Sequence, residues 1–147
     1  MKLISHRGNI NGGISSWENE PTYIDLAISK GFDVEVDAWF KDGKLWLGHD
    51  KPDFSVDFIW FRNRMTKLWV HCKNVESLEF FINCGYSVHY FWHENDTVTI
   101  TSKGYIWAYP GKQPIKNSIA VMPEINNDKI SECIGICSDY IENYKKL

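Results

Sequence analysis

The chain has 147 residues, 44% of them apolar and 24% charged, with a formal net charge of −3. That length suits one domain with its own core, and nowhere do the ~20 consecutive apolar residues of a membrane span occur. The lysines are scattered without a basic stripe, which argues against nucleic acid as a partner. The four cysteines, Cys72, Cys84, Cys133 and Cys137, form no CxxC pair. They read as buried thiols of a reducing compartment, not as a disulfide framework or a zinc site. The apolar run that opens the chain ends at His6, without the h-region of a signal peptide. A cytoplasmic protein with a single domain over residues 1–147 is therefore expected, its oligomeric state open.

Lys2–Ser5 is a short apolar strand, and residues 9–16, rich in Gly, Asn and Ser, form a loop. Asn19 as N-cap, Pro21 in the first turn and Gly31 beyond the end delimit a helix. Its Tyr23, Ile24, Ala27 and Ile28 lie on one face. From Phe32 to Phe40 the period changes to two, with Val34, Val36 and Ala38 on one side and Asp33, Glu35 and Asp37 on the other. Asp42-Gly43 marks a hairpin turn, and residues 44–48 return. Residues 51–64 read as an irregular stretch with one helical turn. A strand at 67–73 leads into a helix capped by Asn74 and ended by Gly85, and a strand follows at 87–92. Residues 97–101 and 105–109 pair as a hairpin. Short strands at 118–122 and 135–138 flank a weak helix near 128–133, and 139–146 form a terminal helix. Strands alternating with helices imply βα units around a parallel sheet.

Several strand ends carry chemistry. Glu35 and Asp37 point the same way, a spacing that lets two carboxylates share one hard cation. Alone, such a strand is more often an edge whose polar face meets water. His6 and Arg7 follow the first strand, and Gly8 permits a sharp turn there. His49-Asp50 follows the hairpin, where a histidine is usually structural, its tautomer fixed by the aspartate. Together these residues supply what cleavage of a phosphodiester requires. Arg and a bound cation offset the phosphoryl charge, and two histidines move protons to and from the oxygens.

The order His6-Arg7-Gly8, Glu18-Asn19, Glu35-x-Asp37, Lys41-Asp42-Gly43, His49-Asp50 resembles the glycerophosphodiester phosphodiesterase family, within the phospholipase-C-like phosphodiesterases. The likeness is specific over residues 3–50 and thin afterwards. It implies a (β/α) barrel of the TIM type and a small glycerol- or sugar-type phosphodiester as substrate. It makes His6 and His49 the acid/base pair, Arg7 a phosphate clamp and Glu18 the support of Arg7. Glu35 and Asp37 become ligands of a divalent cation, usually Mg²⁺ or Ca²⁺.

Two departures follow from the residues. The family's third acidic ligand stands two residues before a lysine. Here His71 occupies that place, while Lys73 remains as a second cation for the phosphate. Imidazole favours Zn²⁺- or Mn²⁺-like ions over Mg²⁺ and Ca²⁺, and ligand and plain hydrogen-bonding roles for His71 stand about even. Glu124, after a later strand, is an alternative replacement for the missing acid, and Asp139 occupies a similar strand end. Trp92, His93 and Trp107 are candidates for the wall of the pocket. In addition, the chain is well short of the ~200 residues of a TIM barrel, so a reduced, distorted barrel is expected. The rival function is a non-catalytic phosphate-ligand binding domain derived from such an enzyme.

Overall fold

A computed structural model describes all 147 residues. Its elements in chain order are β1 (Lys2–His6), α1 (Pro21–Ser29), β2 (Asp33–Lys41), β3 (Lys44–Leu47), β4 (Phe54–Val56), α2 (Phe58–Arg64) and β5 (Leu68–Cys72). They continue with α3 (Val75–Asn83), β6 (Tyr90–Trp92), β7 (Val98–Ile100), β8 (Ile106–Ala108), β9 (Ser118–Val121) and β10 (Gly135–Ser138). Short 3-10 segments cover Pro123–Ile125 and Ile141–Lys146.

All ten strands belong to one mixed sheet. Eight follow the order β4-β3-β2-β1-β10-β9-β8-β7, and β5 and β6 branch from β2. Within it, β6, β5, β2, β1, β10, β9 and β8 are successive parallel neighbours. The β3–β4 hairpin adds antiparallel to the far end of β2, and β7 adds antiparallel to β8. The sheet curls into a half-barrel carrying few helices, which corrects the expected reduced TIM barrel. The cause is the brevity of the later connections. After α3 the links between strands are turns, one hairpin and a 3-10 segment, with no α-helix among them. The expected helices near 128–133 and 139–146 shrink accordingly: the first is absent and the second is 3-10.

Side-chain alternation divides the interior in two. Val34, Val36, Ala38, Leu68, Val70, Cys72 and Ile136 point to the helix side, where Ile24 and Ala27 of α1, Phe61 of α2 and Phe81 of α3 close over them. Ile4, Trp69, Phe91, Trp107, Ile119, Val121 and Cys137 fill the inside of the curl. Each element behaves as its residues dictate. The Asp42-Gly43 turn takes φ of 53° and 72°, the left-handed pair that a two-residue hairpin requires. Asn74 caps α3 through a reciprocal capping box with Ser77. The cap of α1 is Glu20, whose side chain accepts from the Tyr23 amide, in place of the expected Asn19. Residues 51–64 hold more order than the sequence suggests, since β4 pairs with β3 and Asp57 caps α2.

His89 is buried in the floor of the curl. Its ring centre lies 4.0 Å from that of Trp69, and its Nε2 is 2.7 Å from the Thr101 hydroxyl. Burial, reinforced by Lys103 and Lys2, pushes its pKa down to about 4. The unfolded chain then takes up a proton near pH 6.5 that the folded chain refuses. Stability is full above that pH and is lost as the pH falls toward 4. Between pH 7 and pH 5 this group should cost about 2 kcal/mol. Urea unfolding at the two pH values should show a loss smaller by that amount in His89→Gln; equal losses would contradict the assignment.

Candidate functional site

The site stands one layer above the floor of the curl, at the C-terminal ends of the parallel strands. In five strands the residue two places after a floor residue faces the site. Ile4 is followed by His6, Trp69 by His71, Phe91 by His93, Trp107 by Tyr109 and Cys137 by Asp139. The period of two therefore turns an apolar floor into a polar mouth. β2 supplies Glu35 and Asp37 at the same level, in register with His6 and His71 respectively.

The backbone is bent into place where the charges gather. Arg7 sits at φ 54° and Asn19 at φ 64°; asparagine enters that left-handed region readily, whereas arginine does so only when its surroundings hold it there. The Arg7 amide donates to the Glu35 carbonyl at 3.0 Å, and the Asn19 amide donates to the Arg7 carbonyl at 3.0 Å. Asn19 then grips Asp37 twice: its Nδ2 donates to Oδ2, and its Oδ1 accepts from the Asp37 amide, each at 2.9 Å. Gly48 (φ 150°) brings the chain to His49; a Cβ there would stand 2.0 Å from the Lys51 carbonyl oxygen. Only glycine fits that approach.

Asp37 is the hub. Its Oδ2 lies 3.0 Å from Arg7 Nε and 3.3 Å from His49 Nδ1, and its Oδ1 lies 3.1 Å from His71 Nδ1 and 3.7 Å from Lys73 Nζ. Burial favours the neutral acid, but the His49 contact and the Arg7 guanidinium act against it, and Asp37 lies well below the usual carboxylate range. Glu35, also buried and beside the Asp37 charge, lies above its ordinary value, although His6 and Arg7 pull it down. Glu35 Oε2 and Asp37 Oδ1 are buried and receive no hydrogen bond. One ligand atom from each of Glu35, Asp37 and His71 lies within 4.8 Å of the others. Two orphaned buried carboxylate oxygens beside an imidazole suit a divalent cation.

His6 is held from behind. Asp139 Oδ1 accepts from its Nδ1 at 2.7 Å, which leaves Nε2 turned toward Glu35 Oε2, 3.9 Å away. Burial acts to lower the His6 pKa, and the hydrogen bond to Asp139 with the charge of Glu35 raises it overall. Asp139 in turn lies below its ordinary value through the same bond, against the effect of burial. Asn9 Nδ2 ties the two supports together, donating to Asp139 Oδ1 and to Glu18 Oε1 at 2.9 Å each. Glu18 Oε2 accepts from Arg7 Nη1 at 3.1 Å. Arg7 Nη2 reaches His49 Nε2 at 3.4 Å.

His6, Arg7, Glu35, His49, His71 and Lys73 line one side of a cavity of about 490 Å³, with Asp37 buried behind them. Trp92, His93 and Trp107 do line it, joined by Tyr109, Val121 and Met122. His93 is buried, with its ring centre 3.6 Å from that of Tyr109 and neither ring nitrogen bonded. Its pKa is lowered to about 4, chiefly by burial. Glu124, the alternative metal carboxylate, does not join the cluster. It faces the outer side of the sheet, where Ser138 donates to it at 2.7 Å and Tyr144 at 2.9 Å. Asn9 and Asp139 join the site beyond the residues that the sequence motifs mark. Asp139 had a signal, an acid directly after a strand; Asn9, in a polar loop, had none. No protein-family model, no curated protein and no solved structure matches the chain.

Proposed function

We propose that the protein is a phosphoric diester hydrolase that cleaves a small glycerol- or sugar-type phosphodiester, in the manner of the glycerophosphodiester phosphodiesterases. One observation carries the reading: two histidines, two cationic side chains and the Glu35 carboxylate line one side of a single cavity, with Asp37 buried directly behind Arg7 and Lys73. A binding domain has no need of a proton-transfer pair.

Arg7 and Lys73 neutralise the phosphoryl oxygens, with Glu18 holding the guanidinium in place. His6 is fixed by Asp139 as the tautomer whose Nε2 lone pair is free, so it accepts the proton of the attacking hydroxyl. As the new P–O bond forms and the old one breaks, His49 gives its proton to the departing alcohol oxygen. The attacking hydroxyl belongs to water or to the substrate itself, the latter giving a cyclic phosphate first. Glu35 and Asp37 would hold a divalent cation, which lends positive charge to the phosphoryl oxygens when bound. The apolar wall of Trp107, Val121 and Met122 receives the carbon skeleton of the alcohol.

Several glycerol phosphodiesters, assayed with and without chelator across Mg²⁺, Ca²⁺, Mn²⁺ and Zn²⁺, test this. Turnover should vanish with chelator and return with cation. Inactivity with every cation, alongside measurable binding of glycerol phosphate, would replace the hydrolase with a phosphate-binding domain.

A further inference from the structure

We propose that His71 is the third protein ligand of the Glu35–Asp37 cation site, through Nδ1, and that it makes the site one for a transition ion of the Zn²⁺ type. The inference rests on the reading above only in supposing that a cation binds there. It does not depend on which diester is cleaved.

The tautomer decides it. His71 Nε2 lies 2.8 Å from the backbone carbonyl oxygen of His93. A carbonyl only accepts, so Nε2 carries the proton, and in the neutral ring Nδ1 carries the lone pair. That lone pair faces Asp37 Oδ1 at 3.1 Å and Glu35 Oε1 at 3.8 Å. The shorter contact is not aligned as a hydrogen bond, since Asp37 Oδ1 receives none. Three lone-pair atoms thus converge within 4.8 Å, an arrangement that repels itself unless a positive ion lies among them. The ring has little freedom to turn away. It stacks on Phe91 with centroids 5.0 Å apart and planes 10° off parallel. An imidazole that donates its remote N–H to a backbone carbonyl is also the usual posture of a metal-bound histidine.

The donor set then selects the ion. Mg²⁺ and Ca²⁺ take oxygen ligands, and Mg²⁺ gives up its waters reluctantly. Two carboxylates with one imidazole nitrogen match Zn²⁺, whose catalytic sites carry three protein ligands and one open position. Glu35 and His71 line the same cavity as His6, Arg7 and Lys73, so a cation held by them would adjoin the bound diester.

The test reads metal binding directly, without any diester. Equilibrium dialysis of the full chain with Zn²⁺ and with Mg²⁺ is compared in the wild type, His71→Glu and His71→Gln. Because Zn²⁺ outbinds Mg²⁺ at most sites, the change in their ratio is what counts. His71→Glu should tighten Mg²⁺, weaken Zn²⁺ and compress the ratio by about tenfold or more; His71→Gln should weaken Zn²⁺ by about tenfold or more. Ring ¹⁵N NMR of the wild type keeps the proposal testable if either variant misfolds. On adding Zn²⁺, the Nδ1 signal of His71 should leave the free-imine range while Nε2 stays protonated. Unchanged ratios in folded variants, or an unmoved Nδ1 signal, would overturn the proposal. Selective Zn²⁺ binding without turnover of any diester would instead leave it standing and sink the hydrolase.

Discussion

Replacing His6 with Ala should lower kcat for a small phosphodiester by about 10²- to 10⁴-fold, the span that a positioned acid or base supplies. The reason is local. His6 Nε2 is the one basic nitrogen at the end of β1 whose partner side is already occupied, by Asp139 at 2.7 Å. Both the proton that leaves the attacking oxygen and the orientation of the group that takes it are lost together. The fold should tolerate the change, since His6 belongs to neither apolar cluster. Circular dichroism and the urea midpoint separate lost chemistry from lost structure. A variant that keeps wild-type kcat would remove His6 from the mechanism.

Asp37→Ala should cost about 3–5 kcal/mol of stability. Asp37 is fully buried, and Arg7, His49, His71 and Lys73 all crowd its two oxygens. Without the carboxylate these groups remain half-buried beside one another, and the bond from Asn19 Nδ2 goes as well. Asp50 provides the contrast. Its side chain is 94% exposed and lies 3.7 Å from His49, so Asp50→Ala should change the unfolding free energy by less than about 0.5 kcal/mol. Urea unfolding of the two variants side by side checks both values. A loss below about 1 kcal/mol for Asp37→Ala would show that the cations around it are relieved by water.

What the sequence made legible is what alternation and turn chemistry control. Val34, Val36 and Ala38 do face the helices while Glu35 and Asp37 face the site, because a long strand leaves no second way to bury three apolar residues. The Asp42-Gly43 hairpin and the Asn74 cap were readable for equally local reasons. The closing of the site was not. His6 and Asp139 are 133 positions apart, and no periodicity links them; only the parallel pairing of β1 with β10 does. Asn19 looks like a cap because caps and left-handed turns favour the same residue type. The half-barrel was hidden because β6 to β8 are three residues each, too short for a period of two to announce a face. The aromatic side chains of Trp69, Phe91 and Trp107 fill the floor that longer strands and their helices would otherwise enclose.

The most direct test of the hydrolase is ³¹P NMR of a small glycerol phosphodiester incubated with metal-loaded wild type and, in parallel, with folded His6→Ala. The diester resonance should give way to a monoester, directly or through a cyclic phosphate, with the wild type alone. A diester resonance that persists with the wild type in every cation, or that decays equally with both proteins, would contradict it.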